Sequence, residues 1–417
     1  MSTLPKVLVI SELFPNPARP AFGIFVERQT TYLKPYAQQV VVVPNRIFPH
    51  LRLWKHLLQP RKMATEWQQW RAEITQIPAQ TELNGLPVYY PRYTSLPKQI
   101  FHSLWGYFSY AASRNLLKQL HQQHHFDLIH AHYAAGAGVM ATLAQRWMQT
   151  PIVLSIHGSD LAYTIHQKPF GAYIIPRILK NADAVLANSV STANGLLQAG
   201  VASERLHIVR LGANPPPDYA RASVQNSTAE RPLQILAVGY LHLTKGHAYL
   251  LQALAQLKQQ GYAFHCTLVG DGPEEQRLKQ FVQESGMTQQ VTFAGYMPHA
   301  DVWQYFANCD IFALPSWNEA FGVVYIEALS LGKPVIGCQG AGGPEDLRAL
   351  GDCIELVAPR DVASLRAALQ RLFDDPQRRL QMGETGKQIV QQYYTWENTA
   401  RHTAQIYDQI LRKHSRV

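Results

Sequence analysis

The sequence predicts an α/β protein built from two doubly wound parallel sheets. Short apolar runs of strand length alternate with segments of helical length in both halves of the chain, which is the order that parallel sheets with crossover helices produce. At 417 residues the chain is long enough for two hydrophobic cores. A Pro-, Ser- and Asn-rich stretch without apolar periodicity, residues 213–231, separates the two halves.

The first sheet is predicted from apolar runs bounded by polar or turn residues. Its strands are Val7–Ile10, Val40–Val43, Leu128–His130, Ile152–Ser155, Ala184–Ala187 and His207–Val209. Helices are predicted between them over Ile24–Tyr36, Gly136–Met148 and Ser189–Ala199. Because helical segments separate the strands, we expect parallel pairing.

The second half repeats this order. Its predicted strands are Gln234–Val238, His265–Val269, Val291–Phe293, Ile311–Ala313, Pro334–Gly337 and Cys353–Leu356. Its predicted helices are Lys245–Gln260, Pro273–Ser285, Ala300–Ala307 and Phe321–Leu331. Ligands bind such sheets at the carboxyl ends of the strands, so the loops that follow strands are the candidate sites.

The domain limits follow from these patterns. We predict an N-terminal domain over residues 1–213, a linker over 214–231, a C-terminal domain over 232–392 and a closing segment over 393–417, which is helical from Trp396. The two domains are expected to face each other across a cleft.

Composition narrows the class of protein. The chain is 47% hydrophobic and 16% charged, as in ordinary globular proteins, and no apolar run approaches the roughly 20 residues of a membrane-spanning helix. The four cysteines are widely spaced in apolar surroundings: Cys266, Cys309, Cys338 and Cys353. This predicts buried free thiols in a reducing cytosol rather than disulfides or a structural zinc site.

The net charge of +9 belongs to the first half of the chain. Residues 1–215 carry 20 Lys and Arg against 9 Asp and Glu, whereas residues 216–417 carry 18 against 20. Residues 46–71 are rich in basic and aromatic side chains, and residues 100–120 are rich in aromatic ones. This favours contact with an anionic membrane surface, with packing onto the domain as the alternative. No nucleic-acid module accompanies the charge, so no nucleic-acid partner is predicted.

Two carboxylates stand out in PSWNEAFGVVYIEALSLGKPVIGCQGAGGPE, residues 315–345. Glu319 lies in a loop, and Glu327 interrupts an otherwise apolar helix, where a carboxylate is costly unless a partner satisfies it. A fully helical segment would hold the two acids about 12 Å apart, too far to share a proton. We interpret them as acceptors for two hydroxyl-bearing parts of one ligand. The alternative is a capping acid and a salt-bridged helix acid.

Two glycine-containing loops also follow predicted strands. The loop from Gly239 to Gly246 opens a helix, where backbone N–H groups and the helix dipole favour an anion and Lys245 adds a positive charge. Its spacing is not that of a Walker A loop. The second loop, GAGGPE at residues 340–345, contains glycines that permit close backbone approach. Ordinary turns with a solvated lysine are the alternative.

Three features of the first half remain. His157, in SIHGSD, ends a strand and could donate a hydrogen bond to a ligand oxygen, although a lone histidine is commonly structural. HAH at residues 130–132 has no Cys or carboxylate at ligand spacing, so it predicts a strand end rather than a metal site. FPNPARPAFGIF, from Phe14 to Phe25, reaches Gly23 before a helix, where a phosphate or acceptor can approach the backbone. It is not the GxGxxG dinucleotide fingerprint.

Together these motifs resemble the retaining GT-B glycosyltransferases of the large family 4. The E-x7-E pair at Glu319 and Glu327, the KG loop at Lys245, HGSD at His157 and GGPE at Glu345 occur in the order of the family. The resemblance covers nearly the whole chain and is strongest from about residue 232 to 345. FPNPARPAFGIFVERQ is similar to the N-terminal segment of enzymes that build bacterial cell-surface polysaccharides.

The resemblance implies two Rossmann-like domains facing across a cleft, with the acceptor on the N-terminal side and a last helix that crosses back to the first domain. His157 and Glu319 would be catalytic, His157 beside the reacting centre and Glu319 on the sugar hydroxyls near the 3- and 4-positions. Lys245 would neutralise the diphosphate, and Glu327 would accept from the ribose hydroxyls. The remaining implied residues are the donor-binding Gly239, Tyr240, Tyr296, Met297, Phe321 and Gly322, and Gly23 on the acceptor and phosphate side.

Two positions depart from the family pattern. Tyr240 stands where the family commonly has an arginine, so one positive charge on the diphosphate is missing. Phe22 precedes Gly23 where the family often has paired glycines, which narrows the approach to the first loop.

The sequence with its resemblance therefore predicts a retaining hexosyltransferase that uses no metal and no cofactor. It would move a hexose from a UDP- or GDP-linked sugar to a glycan or lipid-linked acceptor in cell-envelope or exopolysaccharide biosynthesis, in the cytoplasm and peripheral to the inner face of the membrane. The alternatives are a degenerate GT-B binding or partner subunit, which Tyr240 supports best, and a nucleotide-sugar epimerase. Glycoside hydrolysis is disfavoured because retaining hydrolases hold their carboxyls about 5–5.5 Å apart.

Overall fold

The computed structural model describes residues 4–20, 22–47, 60–95, 99–158, 161, 165, 170–213, 216–218, 220, 231–317, 319 and 321–414. The chain divides into two compact units, one of residues 1–211 with 396–417 and one of residues 212–395. The limits predicted from the sequence were 213 and 393. Each unit is built on a parallel sheet flanked by helices, so the predicted α/β class is confirmed.

The first unit follows the alternating order of strands and helices. Its strands are β1 (Lys6–Ser11), β2 (Gln38–Val42), β3 (Asn45–Arg46), β4 (Gln80–Leu83), β5 (Leu86–Tyr89), β6 (Arg92–Tyr93), β7 (Leu128–His132), β8 (Ile152–Ile156), β9 (Ala184–Ala187) and β10 (Leu206–Ile208). Its helices up to residue 211 are α1 (Ile24–Leu33), α2 (Pro60–Gln76), α3 (Trp105–His124), α4 (Val139–Met148), α5 (Gly171–Asn181) and α6 (Val190–Gln198).

Eight of these strands form one sheet in the order β10-β9-β8-β7-β1-β2-β5-β4. The pairs are parallel except for β4 with β5 at the edge, and β3 pairs with β6 separately. The winding of the sheet reverses between β1 and β7, which is where such sheets place their ligands. The antiparallel edge was not predicted from the sequence, although Asn84 and Gly85, both at positive φ, form the Asn-Gly turn typical of a hairpin.

The second unit has a six-stranded, fully parallel sheet in the order β13-β12-β11-β14-β15-β16. These strands are β11 (Leu233–Val238), β12 (Phe264–Val269), β13 (Val291–Gly295), β14 (Ile311–Ala313), β15 (Val335–Cys338) and β16 (Ile354–Val357). Its helices are α7 (His247–Gln259), α8 (Glu275–Glu284), α9 (His299–Asn308), α10 (Val323–Ser330), α11 (Gly342–Leu350), α12 (Val362–Asp374) and α13 (Pro376–Tyr393). Here the winding reverses between β11 and β14, so the loops that follow these two strands are neighbours.

The last helix, α14 (Trp396–His414), belongs to the first unit. Its Ala400, Ile406 and Tyr407 join the core on one face of the first sheet, together with Val7 and Val9 of β1. The alternate β1 residues, among them Leu8 and Ile10, belong to the core on the other face. Because both faces are covered, the central strand reads as a continuous apolar run.

Several predicted element boundaries were wrong for identifiable reasons. The helix predicted over Ile24–Tyr36 ends at Leu33. The helix predicted from Gly136 is preceded by a π-helical turn, Tyr133–Gly138, and becomes α-helical at Val139. The helix predicted from Lys245 begins at His247, because Gly246 has the left-handed φ of 78°.

Two expectations about burial and membranes can be compared with the structure. All four cysteines are buried and unpaired, as predicted. Among the described residues, no helix combines the length and apolar character needed to cross a membrane.

Candidate active site

The loop after β11 packs directly on the loop after β14. Gly239 is anchored by its N–H, which donates to Val269 O at 2.9 Å, and the loop continues into the 3₁₀ turn Leu243–Lys245. At Gly246 a Cβ atom would lie only 2.3 Å from the carbonyl oxygen of Pro315, and the φ of 78° is one that glycine adopts without strain. Glycine is therefore what allows the two loops to touch.

This packing brings together two of the residues predicted to bind a ligand. The Nζ of Lys245 lies 2.5 Å from Oε2 of Glu319, with the side chains 25% and 16% exposed. The Trp317 N–H donates to Thr244 O at 3.2 Å and holds the backbones of the two loops in register. The contact joins a cation and a carboxylate that remain accessible from solvent, at the point where the winding of the sheet reverses.

The GAGGPE segment supports the loop that carries Glu319. The Gly342 N–H donates to Glu319 O at 3.0 Å. A Cβ on Gly343 would lie 1.7 Å from the carbonyl oxygen of Phe321, so no larger residue fits without moving that loop. Glu345 accepts from the Gly340 N–H at 2.7 Å and closes the turn. Close packing therefore accounts for Gly343 of the motif.

Glu327 is buried in α10 and has one side-chain partner. The residue is 1% exposed, and its Oε1 lies 2.7 Å from Nε2 of His299, the first residue of α9. Within the described part of the chain, no other side chain hydrogen-bonds this carboxylate. His299, with a side chain 43% exposed, thus links a buried acid to the surface. His299 was not predicted from the sequence, because no local pattern marks it.

His157 lies just after β8 in the first unit and contacts another histidine. Its Nε2 is 3.1 Å from Nδ1 of His132, and the two rings are nearly parallel at 5.4 Å. Phe25 packs edge-on against the His157 ring at 4.9 Å. Burial lowers the pKa of His157 to about 3 and holds that of His132 well below its usual value, so both rings are neutral at neutral pH. Ser159 and Asp160 of the HGSD motif lie outside the described residues.

The HAH motif lies at the end of a strand, as predicted, and its second histidine contacts His157. His130 and His132 are buried at the end of β7, and His130 hydrogen-bonds Tyr407 Oη at 2.6 Å and Ser155 Oγ at 2.8 Å. The contact of His132 with His157 was not predicted from the sequence, because it depends on the pairing of β7 with β8. In the described part of the chain, no three His, Cys, Asp or Glu residues group as metal ligands.

Comparison with known families decides the class of protein. Residues 76–215 match Glycosyltransferase Family 4, and residues 219–389 match Glycosyl transferases group 1. Together the two matches cover well over half of the chain. The chain belongs to the family 4 glycosyltransferases.

Individual glycosyltransferases show the same extent of similarity. TuaC of Bacillus subtilis, a glycosyltransferase assigned to teichuronic acid biosynthesis, is 27% identical over 416 residues, covering 95% of this chain and 100% of TuaC. Sucrose-phosphate synthase from Thermosynechococcus elongatus superposes with a TM-score of 0.74 at 23% identity, covering 98% of this chain and 100% of the other. HepE of Anabaena, in complex with UDP and glucose, gives 0.68 at 21% identity over 97% and 99%. The predicted GT-B fold class is confirmed.

The other predicted donor contacts of this glycosyltransferase lie at strand ends of the second unit. Tyr240 follows β11 and is 57% exposed, with its ring parallel to His242 at 6.3 Å. Tyr296 follows β13 and is 69% exposed, and Met297 beside it is half-buried. Gly322 caps α10 with a φ of 77°. The roles of these residues, and those of the other site residues, remain predictions.

Gly23 has a packing explanation of its own. It precedes α1 with a φ of 72°, and a Cβ there would lie 2.3 Å from the Leu13 carbonyl carbon. The glycine therefore lets the loop after β1 fold back on itself. Its predicted role on the acceptor side of the glycosyltransferase remains a prediction.

The first predicted membrane-facing segment, residues 46–71, is only partly described, because residues 48–59 lie outside the described ranges. On α2, Arg61 and Lys62 are exposed, and Trp67 is 44% exposed. In the second segment, α3 buries one face in the first unit and leaves Tyr107 and Phe108 exposed. Basic and aromatic side chains are thus available at the surface on α2.

Proposed function

We propose that this glycosyltransferase moves a hexose, with retention of anomeric configuration, from a nucleoside diphosphate sugar to a glycan or lipid-linked acceptor in polysaccharide or glycolipid biosynthesis. The observation that carries the proposal is the contact of Lys245 with Glu319 at the carboxyl ends of β11 and β14. A cation for phosphate and a carboxylate for sugar hydroxyls stand within reach of one ligand.

The bound donor would replace the contact between Lys245 and Glu319 with contacts of each residue to the donor. Lys245 would bind the diphosphate, and Glu319 would accept from hydroxyls of the sugar. Glu327 would accept from the ribose hydroxyls through the carboxylate oxygen that His299 does not hold. UDP is the first nucleotide to test, because HepE, which shares the fold, was crystallised with UDP, and GDP is the second.

In the proposed reaction the acceptor oxygen bonds to the anomeric carbon on the face from which the diphosphate leaves. The bond from that carbon to the phosphate oxygen breaks, and the proton of the acceptor passes to the departing phosphate. Lys245 and backbone N–H groups would stabilise the negative charge that develops on the leaving group. His157, neutral at working pH, would donate an N–H to a sugar oxygen. No metal or cofactor takes part in this mechanism.

The acceptor would reach the enzyme at the inner face of the membrane. Exposed Arg61, Lys62 and Trp67 on α2 support this part of the proposal, since basic helices with tryptophan suit anionic interfaces. We expect Arg61→Glu with Lys62→Glu to lower binding to phosphatidylglycerol vesicles in sedimentation. The control is the double reversal at Lys279 and Lys387, which are exposed in the second unit. Equal binding of the two double variants would contradict the membrane contact.

Thermal stabilisation tests the donor site. A ligand at 100 times its dissociation constant adds about 2.7 kcal/mol of stability. The melting temperatures measured with UDP, GDP, ADP and their sugars should therefore show which of them bind. A rise in melting temperature with one nucleotide, lost in Glu327→Ala, would support the donor site. No shift from any of them would favour a degenerate partner subunit, to which the absence of a cationic side chain at Tyr240 points. Conversion of the donor sugar without acceptor would indicate an epimerase.

A further inference from the structure

We propose that a polar cavity of the first unit binds the acceptor through a sugar that carries an anionic group. The cavity lies beside the carboxyl ends of β1 and β2, where a parallel sheet places ligands. The cavity belongs to the first unit, and its lining includes Glu12, Arg19, Asn45, Arg46, Trp70 and Tyr90. Lys245, Glu319 and Glu327 all belong to the second. The inference rests on the proposed function only in taking the occupant to be the acceptor.

The cavity presents hydrogen-bond donors that suit an anion. Arg19 is exposed and Arg46 is half-buried. Arg46 is held in place, because its Nε donates to Ser95 Oγ at 2.6 Å and its guanidinium lies 4.2 Å from the Trp105 ring centroid. A guanidinium fixed in this way is preorganised for the planar or branched oxygens of a carboxylate or phosphate.

A buried hydrogen-bond donor in the cavity wall is available to a ligand oxygen. The side-chain Nδ2 of Asn45 is buried and has no hydrogen-bond partner among the described residues. Leaving such a group unpaired costs free energy, and Asn45 lines the cavity. A bound oxygen acceptor would recover this energy.

The other walls favour a sugar over a bare anion. Glu12 places a carboxylate against Gly136, where a Cβ would lie 2.0 Å from the carboxylate carbon, and this acid can accept from sugar hydroxyls. Tyr93 Oη lies 3.5 Å from the same carboxylate. Trp70 and the buried Tyr90 supply aromatic surface, on which the C–H face of a sugar ring can pack. Together with the arginines, the walls suit a ring that has both hydroxyls and a negative charge.

A uronic acid and a sugar phosphate share this chemistry. We expect calorimetry on the full chain to show that D-glucuronate, D-glucose 6-phosphate or both bind at least tenfold more tightly than D-glucose. Tight binding of the glucuronate alone would identify a carboxylate as the recognised group, and tight binding of the phosphate alone would identify a phosphate. Equal affinity for all three sugars would overturn the proposal.

Substitutions localise the binding to the cavity. Asn45→Asp keeps the side-chain shape and adds a negative charge, so affinity for the anionic sugars should fall about tenfold while that for glucose does not. Arg19→Gln, at an exposed position, should weaken the binding of the same ligands. Arg61→Gln, exposed on α2 and outside the cavity, is the matched control. Unchanged affinity in both cavity variants would overturn the proposal.

UDP binding measured on the same samples separates the two proposals. If UDP binds and the anionic sugars do not, the cavity proposal fails and the donor site stands. If the anionic sugars bind in the cavity and no nucleotide binds, the proposed transferase activity fails and the cavity stands.

Discussion

Removing the charge of Lys245 should weaken the binding of the diphosphate part of the nucleotide and leave the binding of the nucleoside part unchanged. Lys245→Met keeps most of the side-chain length and deletes the ammonium group, which lies 2.5 Å from Oε2 of Glu319. Two opposite unit charges 4 Å apart attract by about 4 kcal/mol at an effective dielectric constant of 20. The ligand must share Lys245 with Glu319, so we expect a net loss of about 1.5–3 kcal/mol, typical of hydrogen bonds to charged groups. That is a loss of about 10- to 150-fold in UDP affinity.

Substituting the partner residue, Glu319, should change UDP affinity in the opposite direction. Glu319→Gln removes the carboxylate that pairs with Lys245, and such a partly exposed pair is worth about 1 kcal/mol. We therefore expect Glu319→Gln to bind UDP about fivefold more tightly, while transfer of the sugar is lost. In Lys245→Met the same substitution should bring little further gain, because the cation that it releases is absent.

Calorimetry with UDP and with uridine measures both effects. Uridine has no phosphate, so Lys245→Met should leave its affinity unchanged. The control is Lys279→Met on α8, which breaks a comparable ion pair with Glu275 at 2.6 Å outside the site. Equal losses for UDP and uridine, or weaker UDP binding in Glu319→Gln, would refute the reasoning.

Three further outcomes are expected. Glu327→Gln and His299→Ala should each weaken UDP and uridine by the same factor, about tenfold, because the ribose is common to both, and calorimetry showing unequal losses would contradict the ribose contact. Burial lowers the pKa of His247 to about 4, so below pH 6.5 only the unfolded chain takes up this proton, and stability falls by up to about 1.4 kcal/mol per pH unit down to pH 4. Urea denaturation should show a flatter pH dependence in His247→Gln, and an unchanged slope would count against this assignment. Gly343→Ala should destabilise the fold by about 1–3 kcal/mol and weaken UDP binding. Gly340→Ala, at a position with open space around a Cβ, should cost about 1 kcal/mol of stability and leave UDP binding intact. Equal UDP affinities of the two variants would contradict the loop contact.

Local patterns determined most of the elements of this protein. Strands such as Ala184–Ala187 and Ile311–Ala313 were predicted residue for residue, because a buried parallel strand is a short apolar run in any context. Helix ends were less certain, since Gly246 stops one helix through its φ, which composition alone does not reveal. The hairpin of β4 and β5 was missed at a polar edge, where the apolar run that marks other strands is absent.

The sequence by itself also singled out the residues that we propose carry the chemistry. Lys245 and Glu319 were singled out as charged residues in loops predicted to follow strands, and Glu327 as a carboxylate in an otherwise apolar helix. What only the tertiary structure decided is their partners. Lys245 meets Glu319 across 74 positions of sequence because β11 and β14 are neighbours in the sheet.

Buried polar partners were likewise invisible in the sequence. Glu327 pairs with His299, and His157 with His132, at separations of 28 and 25 positions. Periodicity reports which face of an element is apolar, and it carries no information about which polar group on another element will satisfy a buried one. That choice follows from strand order and close packing, which exist only once the chain has folded.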